Sequence, residues 1–167
     1  GLDGLAWRRV DVVDETGSTN ADLLARAEIG ENIVGAVLFA EYQSAGRGRH
    51  NRQWTAPARS QLAVSIGVDA SETPPDRWGW LPLAVGVAVV DAIAEVTGVR
   101  VGLKWPNDVM VGPAGGKLAG ILAEVASAVP VIVVGLGLNV TMTADAAPDP
   151  RATSLTQLGA ATVDRNP

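Results

Sequence analysis

The apolar residues of this chain lie in short runs separated by glycine, proline and charged residues, and this limits the elements that the chain can form. The longest run, residues 81–90, is followed by Asp91. A helix needs about 20 apolar residues to cross a bilayer, so we expect no membrane span and no membrane partner. Most of the other runs have the length of buried strands, which predicts a sheet.

Local patterns predict an α+β (α/β mixed) fold, with a central mixed sheet flanked by helices, in one domain over residues 1–167. Strands are expected at residues 7–13, 33–40, 62–68, 101–105, 109–111, 117–125 and 131–140. Pro106 ends the fourth of these strands, which we expect to resume at residue 109.

Helices are expected in three places. Ser18 or Thr19 can cap a helix that runs to about Ala27, because a hydroxyl oxygen accepts from the unpaired N–H groups of a first turn. Residues 78–96 have the composition of a long buried helix. Thr153 is expected to cap a short helix ending at residue 159, with an exposed tail after it.

Composition excludes several classes of site. The chain has 18 acidic and 13 basic residues, a formal net charge of −5, so we expect no general nucleic-acid partner. It has no cysteine, which excludes disulfides, thiolate catalysis and zinc–thiolate sites. His50 is the single histidine, which excludes a multi-histidine metal site. No basic segment precedes an apolar signal core at the start, so we expect a cytoplasmic protein.

Residues 44–60 form a polar segment with four arginines in this acidic chain. Gly46 and Gly48 let the backbone turn sharply beside Arg47, and arginine donates forked hydrogen bonds to phosphate or carboxylate. The segment indicates a loop that binds a discrete anionic ligand; a solvated surface loop is the alternative. A dinucleotide fingerprint is excluded, because Asn51 breaks its spacing and no amphipathic helix follows.

Only two of the 13 basic residues are lysines, Lys104 and Lys117. Lys104 opens the segment Lys104-Trp105-Pro106-Asn107-Asp108, where the proline break either turns two polar side chains toward a ligand or makes an ordinary turn.

Lys117 follows two glycines, like the lysine of a phosphate loop. The Walker spacing is wrong, however, and Leu118 stands where Ser or Thr is required. Lys117 opens a strand instead, and the small Gly120 on that strand leaves room for a ligand against the backbone. Residues 135–139 end another strand with small residues and one amide. This is weak evidence for a ligand contact, because tight strand packing also explains it.

Five motifs occur in the order seen in biotin–protein ligases, and the chain resembles this family from about residue 7 to residue 159. The motifs are Glu15-Thr16-Gly17-Ser18-Thr19-Asn20, Gln43-Ser44-Ala45-Gly46-Arg47-Gly48-Arg49, Lys104-Trp105-Pro106-Asn107-Asp108, Gly116-Lys117-Leu118-Ala119-Gly120-Ile121-Leu122 and Gly135-Leu136-Gly137-Leu138-Asn139. The resemblance implies the fold shared by biotin and lipoate ligases and class II aminoacyl-tRNA synthetases. It extends over a catalytic domain, without the family's N-terminal DNA-binding domain and without its C-terminal domain.

The resemblance also implies a two-step reaction. Biotin and ATP, with Mg²⁺, would form biotinyl-5′-AMP and pyrophosphate, and a lysine of a biotin carboxyl carrier domain of an acyl-CoA carboxylase would then accept the biotin. Two anions must meet in the first step, so neutralising and positioning groups suit it, and no enzyme nucleophile is needed.

Residue roles follow from the matched motifs. Lys117 would join the biotin carboxylate and the α-phosphate, Arg47 would face the same anions, and Asp108 would position or deprotonate the acceptor lysine. Biotin contacts are implied for Ser18, Thr19, Asn20, Gln43, Gly46, Arg47, Arg49, Lys117 and Gly120. ATP contacts are implied for Arg49, Arg52, Trp54, Asn107, Lys117 and Asn139. No residue is assigned as a metal ligand.

Three alternatives stay open on the sequence. A lipoate–protein ligase shares the implied fold, although the Arg-Gly loop argues against it. A non-catalytic biotin-binding fragment fits a chain shorter than the family's. RNA binding through the Arg-Gly loop is disfavoured by the acidic balance and by Trp54 being the only aromatic residue of the loop. Asn51 stands where the family usually has glycine, and asparagine tolerates a left-handed backbone.

Overall fold

Seven strands and two α-helices are formed by the residues that the structure, a computed structural model, describes: 7–112, 115–127, 129–160 and 163. In chain order they are β1 (Arg9–Thr16), α1 (Thr19–Glu28), β2 (Ala36–Gln43), β3 (Gln61–Asp69), α2 (Leu81–Thr97), β4 (Gly102–Lys104), β5 (Asp108–Met110), β6 (Lys117–Val125) and β7 (Val131–Asn139). Short 3₁₀ segments lie at Arg49–Asn51 and Pro75–Trp80.

The strands form one mixed sheet in the order β1-β2-β3-β7-β6-β5-β4. β1 and β2 are parallel and are connected through α1, whereas every other neighbouring pair is antiparallel. The predicted fold class is therefore confirmed.

Two separate strands form on either side of Pro106, but the expectation that the second resumes the course of the first is wrong. β4 and β5 are antiparallel partners, with Gly102 opposite Met110 and Lys104 opposite Asp108. The chain reverses direction at residues 105–107, because a proline that cannot donate to the ladder fits a turn better than a strand interior.

Alternation along β7 assigns each face of the sheet to one helix. Val131 and Val133 pack in the cluster that contains the buried face of α1. Ile132 and Val134 point to the opposite face, where they cluster with Leu81 at the start of α2. Side chains of successive residues alternate between faces, so one strand serves both layers.

The prediction for α1 is confirmed. Ser18 is its N-cap and accepts a hydrogen bond from the Ala21 N–H at 3.4 Å. Leu23 and Ala27, four residues apart, are buried against the sheet.

The expectation that α2 is a buried helix is wrong for most of its length. Only Gly86, Ile93 and Thr97 are buried, while Val87 and Val96 are 53% and 64% exposed. One stripe of the helix contacts the sheet, and apolar composition alone does not report how many faces are covered. The helix ends where Gly98 adopts φ +72°, a left-handed conformation that favours glycine.

One helical stretch of the described chain, Pro75–Thr97, is long and apolar enough to cross a membrane. It has 23 residues and a mean hydropathy of 1.7, and 11% of its most apolar window is buried. Length and composition are weak criteria, since the core helix of a soluble protein meets them too. The absence of a membrane span stays a prediction.

The short helix expected after Thr153 is not formed. Residues 155–159 are turns. Thr153 donates its N–H to the Lys117 carbonyl at 3.0 Å, and its own carbonyl accepts from the Asn139 side chain. Ser154 instead ties the segment down, because its hydroxyl donates to the Met142 carbonyl at 2.6 Å.

The expected exposed tail is wrong at its two described residues. Ala160 and Val163 are partly buried and pack against the cluster around Leu138 and Leu155. The remaining residues of that tail lie outside the described ones.

Close packing predicts a cost for a side chain on β3. A Cβ added at Gly67 would overlap the backbone carbonyl of Ile33. We expect Gly67→Ala to lower the free energy of unfolding by about 1–3 kcal/mol in urea denaturation, because backbone has to shift. Gly79→Ala is the control, since its added Cβ has nothing within 4 Å. Equal unfolding midpoints for the two variants would contradict this packing.

Candidate active site

A cavity of about 620 Å³ opens on the face of the sheet that carries α1. Its floor includes Gly120 of β6 and Gly135 and Gly137 of β7, and Gly120 lies directly opposite Gly137. Gly135 and Gly137 follow Val133 on the same face of β7, and Gly120 lies beside Gly137, so the missing side chains leave a trough beside α1. Residues 135–137 are therefore closely packed, as the alternative interpretation expected, and they also form the floor of the cavity.

The Trp54 indole lies on this glycine floor. A Cβ at Gly120 would come within 3.2 Å of the ring, and one at Gly137 would overlap it. The indole Nε1 donates to Gln61 Oε1 at 2.6 Å, which fixes the plane of the ring. Lys117 Nζ lies 5.4 Å from the ring centroid, a cation–π distance. Trp54 thus forms the wall beside Lys117.

A buried polar cluster lines the end of the cavity at the start of α1. Gln43 Oε1 accepts from the Thr19 N–H at 2.9 Å and lies 3.1 Å from the Thr19 hydroxyl. The Ser65 hydroxyl lies 2.7 Å from Thr19 Oγ1 and donates to Asn20 Oδ1 at 2.6 Å. An N–H can only donate, so the Gln43 amide is oriented with its oxygen on Thr19 and its NH₂ group elsewhere.

Lys117 and Asp108 form an ion pair of 2.6 Å between Nζ and Oδ1. Strand register causes this contact, because Asp108 lies opposite Gly120 and the Lys117 side chain folds back along β6 toward the same glycine. Both side chains are about one-third exposed or less, and both line the cavity. An anion that reaches Lys117 must therefore compete with Asp108.

Arg47 is held by Glu124 near Asn20, at the end of the trough that adjoins the start of α1. Arg47 Nη2 lies 2.7 Å from Glu124 Oε1, and Asn20 Nδ2 donates to the other carboxylate oxygen at 2.9 Å. Arg47 lines the cavity, and its guanidinium is paired with Glu124.

The loop after β2 is a narrow hairpin at its base. The Trp54 N–H donates to the Gly46 carbonyl at 2.9 Å, the Gly48 N–H donates to the Arg52 carbonyl at 2.7 Å, and Arg47 pairs with Gln53. Gly46 itself does not line the cavity, and a Cβ there would overlap the Trp54 carbonyl oxygen. Its contribution is to let the two sides of the loop approach.

The tip of the loop carries two further cavity-lining arginines, Arg49 and Arg52, both exposed. His50 and Asn51 have φ of 56° and 59°. The left-handed backbone at residue 51 explains why glycine suits this position, and asparagine is among the other residues that adopt it most readily.

The two predicted asparagines are placed differently. Asn107 lines the cavity, but its Nδ2 donates to the Ile121 carbonyl at 2.8 Å, which fastens the β4–β5 turn to β6. Asn139 does not line the cavity; it is buried, and its Nδ2 donates to the Thr153 carbonyl at 3.0 Å. The nucleotide contact implied for Asn139 stays a prediction, and in this structure its side chain bonds to the segment beyond Met142.

Sequence reasoning missed Ser65, Glu124, Asp149 and Arg151. Ser65 and Glu124 reach the site through strand pairing distant in sequence, and no local motif marks them. Asp149 and Arg151 line the cavity from the segment before Thr153, which contains none of the five motifs.

Asp149 and Asp108 are the carboxylates that line the cavity. Among the described residues, no group of three histidine or acidic side chains is placed to hold a metal ion. This arrangement suits a divalent cation that arrives with a triphosphate, since Mg²⁺ commonly uses one or two protein carboxylates together with phosphate oxygens.

The sequence pattern of the biotin/lipoate A/B protein ligase family matches residues 12–140. The chain belongs to the biotin/lipoate A/B protein ligase family. It is 57% identical over 166 residues to a biotin–[acetyl-CoA-carboxylase] ligase of Mycobacterium tuberculosis, covering 98% of this chain and 60% of that protein. It is 37% identical to the bifunctional ligase/repressor BirA of Escherichia coli, covering 84% of this chain and 42% of that protein.

Solved structures of the family show the same fold. The biotin protein ligase of Aquifex aeolicus in complex with biotin and ATP matches with a TM-score of 0.74 and 29% identity, covering 91% of this chain and 61% of that one. The Leishmania major enzyme in complex with biotinyl-5-AMP matches with a TM-score of 0.73 and 26% identity, covering 92% and 67%. The chain thus spans about 60% of the length of the Mycobacterium and Aquifex relatives.

The Asp149–Arg151 contact predicts an unusual titration in this family member. The pKa of Asp149 is lowered to about 2, chiefly because the Arg151 side chain and N–H both donate to its carboxylate. A lowered pKa means that the contact stabilises the fold above about pH 4 and that this stabilisation is lost as the pH falls toward 2.

We expect Arg151→Ala to return the pKa of Asp149 toward about 3.9, as measured by carboxyl-carbon NMR titration. Arg100→Ala, which removes an exposed charge elsewhere, should leave that pKa unchanged. An unaltered pKa in Arg151→Ala would show that Arg151 is not the cause.

Proposed function

We propose that this chain contains the catalytic site of a biotin–protein ligase, which activates biotin with ATP and transfers it to a lysine of a carrier domain. The observation that carries the proposal is the joint placement of the Thr19–Gln43 polar cluster and the Lys117 ammonium in one trough. The first provides directional polar groups for a ligand head, and the second provides a cation for its acid tail.

The ureido ring of biotin matches the polar end of the trough in kind. It offers two N–H donors and one carbonyl acceptor, whereas Gln43 retains NH₂ donors and the Thr19 and Ser18 hydroxyls both donate and accept. The dithiolane head of lipoate offers no acceptor oxygen to the Gln43 NH₂ group, and a buried donor left without a partner typically costs about 1–3 kcal/mol. This difference supports biotin over lipoate.

Activation brings two anions together, so the residues at the Lys117 end of the trough act by their charge. Lys117 would lie between the biotin carboxylate and the α-phosphate as the carboxylate oxygen attacks phosphorus and pyrophosphate leaves. Arg49 and Arg52, exposed at the loop tip, would contact the phosphates. Mg²⁺, when bound to the triphosphate with Asp108 or Asp149 nearby, would neutralise part of its charge.

Transfer requires a neutral acceptor amine beside the mixed anhydride. The amine attacks the acyl carbon, AMP leaves, and an amide forms. Asp108 is the cavity carboxylate next to Lys117, so once Lys117 has turned to the ligand anion Asp108 would orient the incoming ammonium and accept its proton.

The Mycobacterium relative's name points to a carboxylase as acceptor, and we propose a biotin carboxyl carrier domain of an acyl-CoA carboxylase as partner. A reaction that consumes ATP also fits the expected cytoplasmic location.

Incubation of the 167-residue chain with ATP, Mg²⁺ and biotin tests the proposal. We expect a bound biotinyl-5′-AMP by mass spectrometry of the denatured complex, and no lipoyl-AMP when lipoate replaces biotin. Biotin binding without adenylate would favour a non-catalytic module, and a lipoyl adenylate would favour the lipoate ligase.

Lys117→Ala should reduce the rate of adenylate formation by about 100-fold or more, because one preorganised charge at the reacting centre contributes on that scale. Biotin binding should be partly retained, since the polar cluster is intact. Pyrophosphate exchange and equilibrium binding measure the two effects. Arg100→Ala removes an equal charge from an exposed position outside the cavity and is the control. Pyrophosphate exchange near the wild-type rate in Lys117→Ala would show that Lys117 does not promote adenylate formation.

A further inference from the structure

Glu124 is a partly buried carboxylate that the proposed reaction does not use. It lies on β6, its side chain is 20% exposed, and one of its oxygens accepts from Asn20 Nδ2 while the other pairs with Arg47. Asn20 is itself 4% exposed and also donates to the Leu122 carbonyl at 3.2 Å. Glu124 therefore joins the start of α1, the central sheet and the arginine loop.

The Arg47–Glu124 contact and the Lys117 ammonium lie at different positions along β6. The Lys117 ammonium rests beside Gly120, whereas the Glu124 carboxylate contacts Asn20, whose side chain lies over Leu122 and Gly135. About 13 Å of extended strand separates the Cα atoms of Gly120 and Glu124. In this structure Arg47 thus spans the end of the trough near Asn20, while Lys117 marks the other end.

The base of the loop is tied to the sheet at this contact. The hairpin pairing of Arg47 with Gln53 and of Gly46 with Trp54 makes the base of the loop one unit. An ion pair on Arg47 therefore holds both sides of the base against β6, while the tip with Arg49 and Arg52 stays exposed.

An ordinary surface ion pair contributes little, because water and salt screen it. The Arg47 side chain is 45% exposed, but the Glu124 end of the pair differs from a surface pair in two ways. The carboxylate is mostly shielded from solvent, and its second oxygen is fixed by an amide that is nearly fully buried. A charge-assisted contact to an anchored partner is stronger and better positioned than one between two mobile side chains.

We propose that Glu124 is a positioning residue that holds Arg47 across the trough and so keeps the loop closed over bound biotin and its adenylate. This inference rests on the proposed function for the identity of the ligand. In this role Arg47 fastens the loop to β6 and does not neutralise the biotin carboxylate. Lys117, Arg49 and Arg52 then supply the positive charge for the carboxylate and the phosphates.

Glu124→Gln tests the inference with little change in shape, because the amide oxygen can still accept from Asn20. We expect dissociation of radiolabelled biotin, measured without ATP, to be about threefold to tenfold faster than in the wild-type chain. Dissociation of biotinyl-5′-AMP should accelerate similarly, while the rate of adenylate formation at saturating biotin changes less than about twofold, because Lys117 is untouched. The result is thus an effect on KM rather than on kcat.

Glu95→Gln on α2 is the matched control, since it removes the same charge from an exposed site outside the cavity. A double-mutant cycle shows whether Glu124 acts through Arg47: in an Arg47→Ala background, Glu124→Gln should have no further effect on dissociation. Thermal unfolding of each variant verifies that the fold is intact.

Unchanged dissociation in Glu124→Gln would overturn the inference, and so would a full further effect in the Arg47→Ala background. A chain that binds biotin but forms no adenylate would overturn the proposed function alone, because biotin dissociation measured without ATP would still decide the role of Glu124. A chain that retains no biotin would overturn both.

Discussion

The close approach of Trp54 and Asn20 to bare strand backbone is the constraint on which the site depends. Trp54 rests on Gly120 and Gly137, and Asn20 Oδ1 occupies the space that a Cβ of Gly135 would need. Interiors pack too densely for these contacts to survive an added methyl group without a shift of backbone. The same three glycines therefore form the floor of the trough and seat two of its walls.

Six cations of the described chain line the trough, and three of them are held by carboxylates. Lys117 pairs with Asp108, Arg47 with Glu124 and Arg151 with Asp149. Each carboxylate holds its cation in a defined position, and an anionic ligand has to compete with Asp108 for Lys117. In a chain with a net charge of −5, the local excess of cations in the cavity lining explains how a site for anions can form.

Local sequence signals predicted what depends on local physics. The hydroxyl of Ser18 caps α1, and short apolar runs became the strands of a mixed sheet. The errors arose where tertiary contacts decide: α2 is covered on one stripe only, and Pro106 marks a reversal. Asp108 and Lys117 were both singled out, but their contact follows from a register with Gly120 that no single motif contains. Glu124 and Ser65 were missed for the same reason.

The loop divides its work between base and tip in a way that its backbone explains. The base is held by the Arg47–Gln53 bridge, by the Arg47–Glu124 ion pair and by the packing of Trp54 on the glycine floor. The tip holds His50 and Asn51 in left-handed conformations, which side-chain-bearing residues adopt at some cost in free energy. A tip that is exposed and conformationally costly can rearrange around phosphates while the base remains in place. This is the behaviour that a site needs when it must admit a triphosphate yet retain a labile adenylate.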